Sequence, residues 1–132
     1  MAPYHFSVTV HEPFELAAKK TREALIDHGF EIVSEIDMAA MITEKLGVAH
    51  APYLILAASN PGFARRAIDL EPAFGVLFPA NVVIRADGDH SVVVDFLDPA
   101  VIVDLVGEEP IHRIADEVRT RLEMTRDAIA TA

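Results

Sequence analysis

The stretch that decides the fold is Tyr53-Leu-Ile-Leu-Ala-Ala-Ser-Asn-Pro61, followed at Phe78 by Phe-Pro-Ala-Asn-Val82. Each holds an asparagine close to a proline, where an apolar strand ends or begins. The run from Pro52 to Ser59 is apolar at both parities, which predicts a strand covered on both faces. Asn60 then suits the N-cap of a helix, with Pro61 at its first position. Phe63, Ala64, Ala67 and Ile68 give that helix an inner face, and Glu71-Pro72 stops it.

Working outward, Tyr4 to Val10 alternates and is rich in β-formers, which predicts a first strand. Pro13 opens a helix whose apolar side is Phe14, Ala17, Ala18, Thr21 and Leu25, with His28 near its end and Gly29 at C′. Phe30 to Ile36 reads as a second strand. Asp37 caps a short helix, Met38 to Leu46, closed by Gly47. Asn81 to Ala86 and Ser91 to Leu97 form a hairpin across Asp87-Gly88-Asp89. After Asp98-Pro99 comes a short apolar turn or helix carrying Val101, Ile102, Leu105 and Val106. The last helix, about Glu109 to Ala130, has the stripe Ile111, Ile114, Ala115, Val118, Leu122 and Ile129, with Glu109–Arg113 and Glu117–Arg121 as (i, i+4) pairs. The order is βαβαβαββα. The late hairpin and short middle helices favour α+β with a mainly antiparallel sheet, in one domain over 1–132.

Composition sets limits on function. A chain of 132 residues has room for a core without disulfides or metal. Its 11 basic residues face 21 acidic ones, a formal charge of −10, which repels a phosphate backbone and argues against nucleic-acid binding. There is no cysteine, so disulfides, thiolate nucleophiles and thiolate metal sites are excluded. Hydrophobic residues make up 52% and mean hydropathy is +0.28, yet no apolar run reaches the roughly 20 residues of a bilayer span. The N-terminus has no basic-then-apolar leader pattern, so a cytoplasmic location is expected, without membrane association. The apolar surplus points to self-association.

From Gly29 onward the chain resembles the Domain of Unknown Function 302 family. The resemblance rests on Gly29-Phe30, Glu35-Ile36-Asp37, Tyr53-Leu-Ile-Leu, Asn60-Pro61, Ala64, Glu71-Pro72, Gly75, Pro79, Asn81-Val82 and Asp98-Pro99, in that order. It implies an α+β domain like one copy of the fold of TATA-box-binding protein, and a homodimer; it brings no settled activity and no DNA-binding inference. Many members look like Gly-Ala-Cys-Asn-Pro in the first motif and Leu-Pro-Cys-Asn-Val in the second. Here those cysteine positions are Ser59 and Ala80, so this is a cysteine-free variant.

Asn60 has two readings. As an N-cap it bonds backbone N–H groups of the first helical turn, a contribution of about 1 kcal/mol. The same geometry presents free N–H groups and a positive dipole end, so Ser59, Asn60 and Asn81 would surround a small polar or anionic ligand, with Arg65 and Arg66 reaching back. Asn81 otherwise satisfies a strand-end backbone group or bonds across to Asn60. His50 and Tyr53 fall near the same motif. The six histidines show no HxxxH or HxH spacing, so no metal site is expected. Glu35 with Asp37, and Asp95 with Asp98, read as solvated strand or turn carboxylates before acid–base pairs. No Gly-x-Ser-x-Gly elbow, Rossmann or P-loop glycine pattern appears. The expected function is a homodimeric binding or accessory domain without a catalytic group, its ligand set Ser59, Asn60, Asn81 and Arg65. The alternatives are a cofactor-dependent enzyme or haem or metal carrier using histidine, and a purely structural interaction module. The segment Val101 to Val106 either packs beneath the last helix or forms a dimer seam.

Overall fold

Alternation and capping together produce one antiparallel sheet with its helices gathered on one side. A computed structural model describes residues 4–131; Met1 to Pro3, within the stretch read for a leader, and Ala132 lie outside the described residues. The strands are β1 (His5–Val10), β2 (Glu31–Asp37), β3 (Tyr53–Ser59), β4 (Ala80–Ala86) and β5 (Val92–Leu97). The helices are α1 (Phe14–Asp27), α2 (Met38–Leu46), α3 (Pro61–Leu70), α4 (Ala100–Leu105) and α5 (Glu109–Thr131), with a 3-10 turn at Pro72–Val76. The sheet order is β1-β5-β4-β3-β2 and every pairing is antiparallel.

The period of two decides which side chains enter the core. Phe6, Val8, Val10, Val92, Val94, Phe96, Ala80, Val82, Ile84, Leu54, Leu56 and Ala58 face the helices and join the core or pack on it. The stripe of α1 (Ala17, Ala18, Leu25) and that of α5 (Ile111, Ile114, Val118, Leu122, Ile129) close over them. Thr21 and Thr125, buried in these stripes, donate to the carbonyls of Ala17 and Arg121, one turn back. Among the described residues no buried side-chain polar atom lacks a partner.

The expectation that β3 is covered on both faces is corrected. Leu56 and Ala58 are buried, but Tyr53, Ile55, Ala57 and Ser59 of the other parity are only half-buried. They share an open face with Asn81, Val83 and Arg85 of β4, Asp95 of β5 and His5, Ser7 and Thr9 of β1. Parity cannot separate an apolar residue beneath a helix from one shielded only by its neighbours in the sheet. Val93, registered between Arg85 and Thr9, is 6% exposed with no core contact above it.

The caps fall where the sequence places them. Asp37 accepts from the Ala40 N–H, and Gly47 ends α2 in the left-handed region. Gly29 follows α1 at φ 90°, a conformation that suits only glycine well. Val101 to Val106 settles against α5: Ile102 is buried, Val101, Val103 and Val106 pack on the core, and Asp104 and Leu105 project outward. Within one chain the segment packs beneath the last helix, as the first of its two readings has it, and leaves Leu105 with Val76 on the surface. The α5 pairs also differ from expectation. Glu117 bonds Arg66 of α3, and Arg121 donates to the carbonyl of His28. No Glu109–Arg113 ion pair forms among the described residues. For Glu117 and Arg121, long-range partners displace a local pair that contributes only about 0.2–0.5 kcal/mol.

Candidate ligand site

The residues singled out by sequence lie in two separate places. The first is a filled corner at Asn60. Its side-chain oxygen accepts the Phe63 N–H at 3.0 Å, the N-cap bond of α3. Its amide nitrogen donates to the carbonyl of Gly29 at 2.8 Å, tying the β3–α3 junction to the α1–β2 turn. Arg121 completes the corner from α5, donating to the His28 carbonyl at 3.1 Å with its guanidinium over the Phe63 ring. Arg66 approaches the same ring and bonds Glu117. Arg65 stands on the outer side of α3, highly exposed and paired with Asp69, so neither arginine reaches back to the cap.

The second place is a cleft of about 480 Å³ on the open face. Tyr4, His5, Tyr53, Asn81, Val83, Arg85, Asp95 and Leu97 line it. Asn81 is exposed here, and its β3 partner is Ala57. Ser59 stands two residues along the same face of β3. The Asn60 side chain is not part of this cleft: Asn81 looks across the sheet, while Asn60 turns to the α1–β2 turn. His50 and Tyr53 pack edge-to-face at the far end of β3 from Asn60.

Asp95 is the electrostatic centre of the cleft. It accepts from Arg85 Nε at 2.7 Å and from the Ser7 hydroxyl, and the His5 ring lies 3.7 Å away. Burial by itself pushes the Asp95 carboxyl up, but the Arg85 and Ser7 hydrogen bonds and the nearby positive charge outweigh it, so the group titrates below the usual carboxylate range. The Arg85 guanidinium is correspondingly raised by its bond to Asp95. Arg85 uses Nε for this pair, and its terminal nitrogens make no hydrogen bond among the described residues. The site therefore offers a guanidinium edge, a carboxamide and a tyrosine around a carboxylate that is already satisfied.

Sequence reasoning missed Arg85 and the Asp95 network. The signal was present in the hairpin: an Asp87–Ser91 closure puts Val83 opposite Asp95 and Arg85 on the adjacent row of the same face. The other carboxylates lie apart. Glu35 takes both Nε and a terminal nitrogen of Arg22, which lowers its pKa, and with Asp37 it lines a cleft between α1 and α2. Asp98 holds the α4 start through the Ala100 N–H and accepts from Arg119 at 2.8 Å. Among the described residues no three His, Asp or Glu side chains converge to hold a metal ion. No described helix is long and apolar enough to cross a membrane.

An antiparallel five-stranded sheet with helices on one face makes this an α+β protein. The chain belongs to the DUF302 family, "Domain of unknown function DUF302", whose model matches residues 6–129. The structure is similar to one described as the crystal structure of an uncharacterized conserved protein DUF302 from Bacillus stearothermophilus, with a TM-score of 0.87 and 21% sequence identity, over 96% of this chain and 98% of that one. At that identity the likeness speaks for the fold. No curated protein matches the chain.

Proposed function

We propose that this chain is a homodimeric binding or accessory domain that takes a small polar or anionic molecule on the open face of its sheet. One observation carries the reading: Asn81 shares a solvent-accessible cleft with the free guanidinium edge of Arg85. A carboxylate or phosphate oxygen needs directional donors close together. A guanidinium fork and a carboxamide NH₂ supply them, and Tyr53 adds a hydroxyl and an aromatic wall. Of the ligand set read from sequence, Asn81 is the centre and Ser59 the nearest neighbour along the face. Asn60 acts as the scaffold that fixes the end of β3, and Arg65 lies outside. The overall charge of −10 favours a small ligand over a polyanion.

The test is thermal denaturation with phosphate, acetate and citrate. A ligand that binds only the folded form raises the transition temperature in proportion to its concentration over Kd. Asn81→Ala and Arg85→Ala should each remove that rise. Asn60→Ala should lower the baseline temperature and leave the rise intact. A rise that survives both cleft substitutions, or none with any of the anions, overturns the proposal.

A further inference from the structure

We propose that strand β1 is the seam of the homodimer, pairing with its own copy across a twofold axis to continue the sheet. This rests on the homodimer reading above and adds to it the place and the register.

β1 is an edge strand, and its backbone polarity is fixed by one bond. The Asp98 N–H donates to the Tyr4 carbonyl in the register that pairs His5 with Leu97. In an antiparallel ladder, alternate residues point their N–H and C=O groups toward the partner. Tyr4, Phe6, Val8 and Val10 therefore bond β5, while His5, Ser7 and Thr9 turn theirs outward. Nothing among the described residues bonds those outward groups.

The two edges of the sheet are built differently. β2 carries Glu31, Glu35 and Asp37 and a register break at Val33, which are the devices that stop edge pairing. β1 reads His-Phe-Ser-Val-Thr-Val, with no acid, lysine, proline, glycine or bulge. In a chain of charge −10, a second copy meets least repulsion along such a strand. The neighbouring flank of α5 agrees. Arg119 and Arg126 lie over the Phe6 ring, with Glu123 and Asp127 bonded to them. That flank presents both signs, so a twofold copy meets mixed charge there.

The geometry also selects the register. Opposed residues must lie on the same face, and the outward residues must form the hydrogen-bonded pairs. Placing Ser7 on the axis pairs it with Ser7 of the second copy and pairs each His5 with Thr9 of the second copy. Only this register uses all three outward residues of each strand. It also sets Phe6 beside Val8 of the second copy on the helix side. The open faces then join, and the cleft at His5 and Asp95 is extended by the second copy's Ser7 and Thr9.

Sedimentation velocity and hydrogen exchange on the full chain test this. The Thr9 N–H points away from β5, so Thr9→Pro removes an intermolecular donor without touching the β1–β5 ladder. The wild type should sediment as a dimer, Thr9→Pro at half that mass with unchanged circular dichroism, and Ser34→Lys on β2 as wild type. In the wild type, the Ser7 and Thr9 amides should exchange about tenfold or more slowly at high than at low protein concentration. If Thr9→Pro unfolds, the wild-type exchange decides alone. A dimer whose Ser7 and Thr9 amides exchange freely overturns the seam and leaves the homodimer standing. A wild-type monomer overturns both.

Discussion

Replacing Asn60 by alanine removes two bonds from two different elements, and the loss follows from their geometry. The N-cap bond to the Phe63 N–H is partly buried, and such caps contribute about 1 kcal/mol. The bond to the Gly29 carbonyl is exposed, so water replaces much of it, and its net share is at the low end, about 0.5 kcal/mol. The sum is a destabilisation of about 1.5 kcal/mol. Urea unfolding followed by circular dichroism measures it: the midpoint should fall with the slope unchanged, because the folded state stays as compact. Asn60→Asp separates the two bonds. It keeps the acceptor and adds a favourable charge at the N-terminus of α3, but it has no donor for Gly29, so its loss should be well under that of alanine. A loss for Asn60→Ala within about 0.5 kcal/mol of zero would refute this account of the corner. So would an aspartate variant as unstable as the alanine one.

Gly29→Ala should cost about 1–2 kcal/mol, since φ is 90° and a Cβ there would meet Arg121 Nη1 at 2.7 Å; Gly75→Ala, with open space and no positive φ, should stay near wild type in the same urea assay. Asp95 has a lowered folded pKa, so its stabilisation is fully present above the unfolded carboxylate value of about 4 and is lost as pH falls through the lower folded value. Urea midpoints measured down that range should decline for wild type and decline less for Asp95→Asn. Arg85→Ala should move the decline to higher pH, because removing the donor raises the Asp95 pKa.

Local chemistry made most of the architecture legible. Asn60-Pro61, Asp37, Gly29 and Gly47 act within four residues of themselves, and they stand at the helix boundaries their residue types dictate. The Asp87-Gly88-Asp89 turn set the β4–β5 hairpin for the same reason. Features that depend on distant partners were not legible. The Glu117–Arg121 pair of α5 gave way because Glu117 finds Arg66 and Arg121 finds the His28 carbonyl, far off in sequence. The open face of β3 was hidden because Tyr53, Ile55 and Ala57 are apolar whether or not a helix lies over them. Of the candidate site, Asn81 was read from its motif, while Arg85 and Asp95 required the hairpin register to be carried one row further.

The opposite parity of Ser59 and Ala80 fixes what cysteines placed at both positions of this fold could do. Ala58 and Ala80 are registered partners on the core face, where Ala80 is fully sealed, whereas Ser59 belongs to the other side of the sheet. On this backbone two sulfurs placed there would be divided by the sheet itself. One would meet solvent and reagents, the other only hydrocarbon, and they would behave as two unrelated thiols rather than as a disulfide or a shared metal clamp.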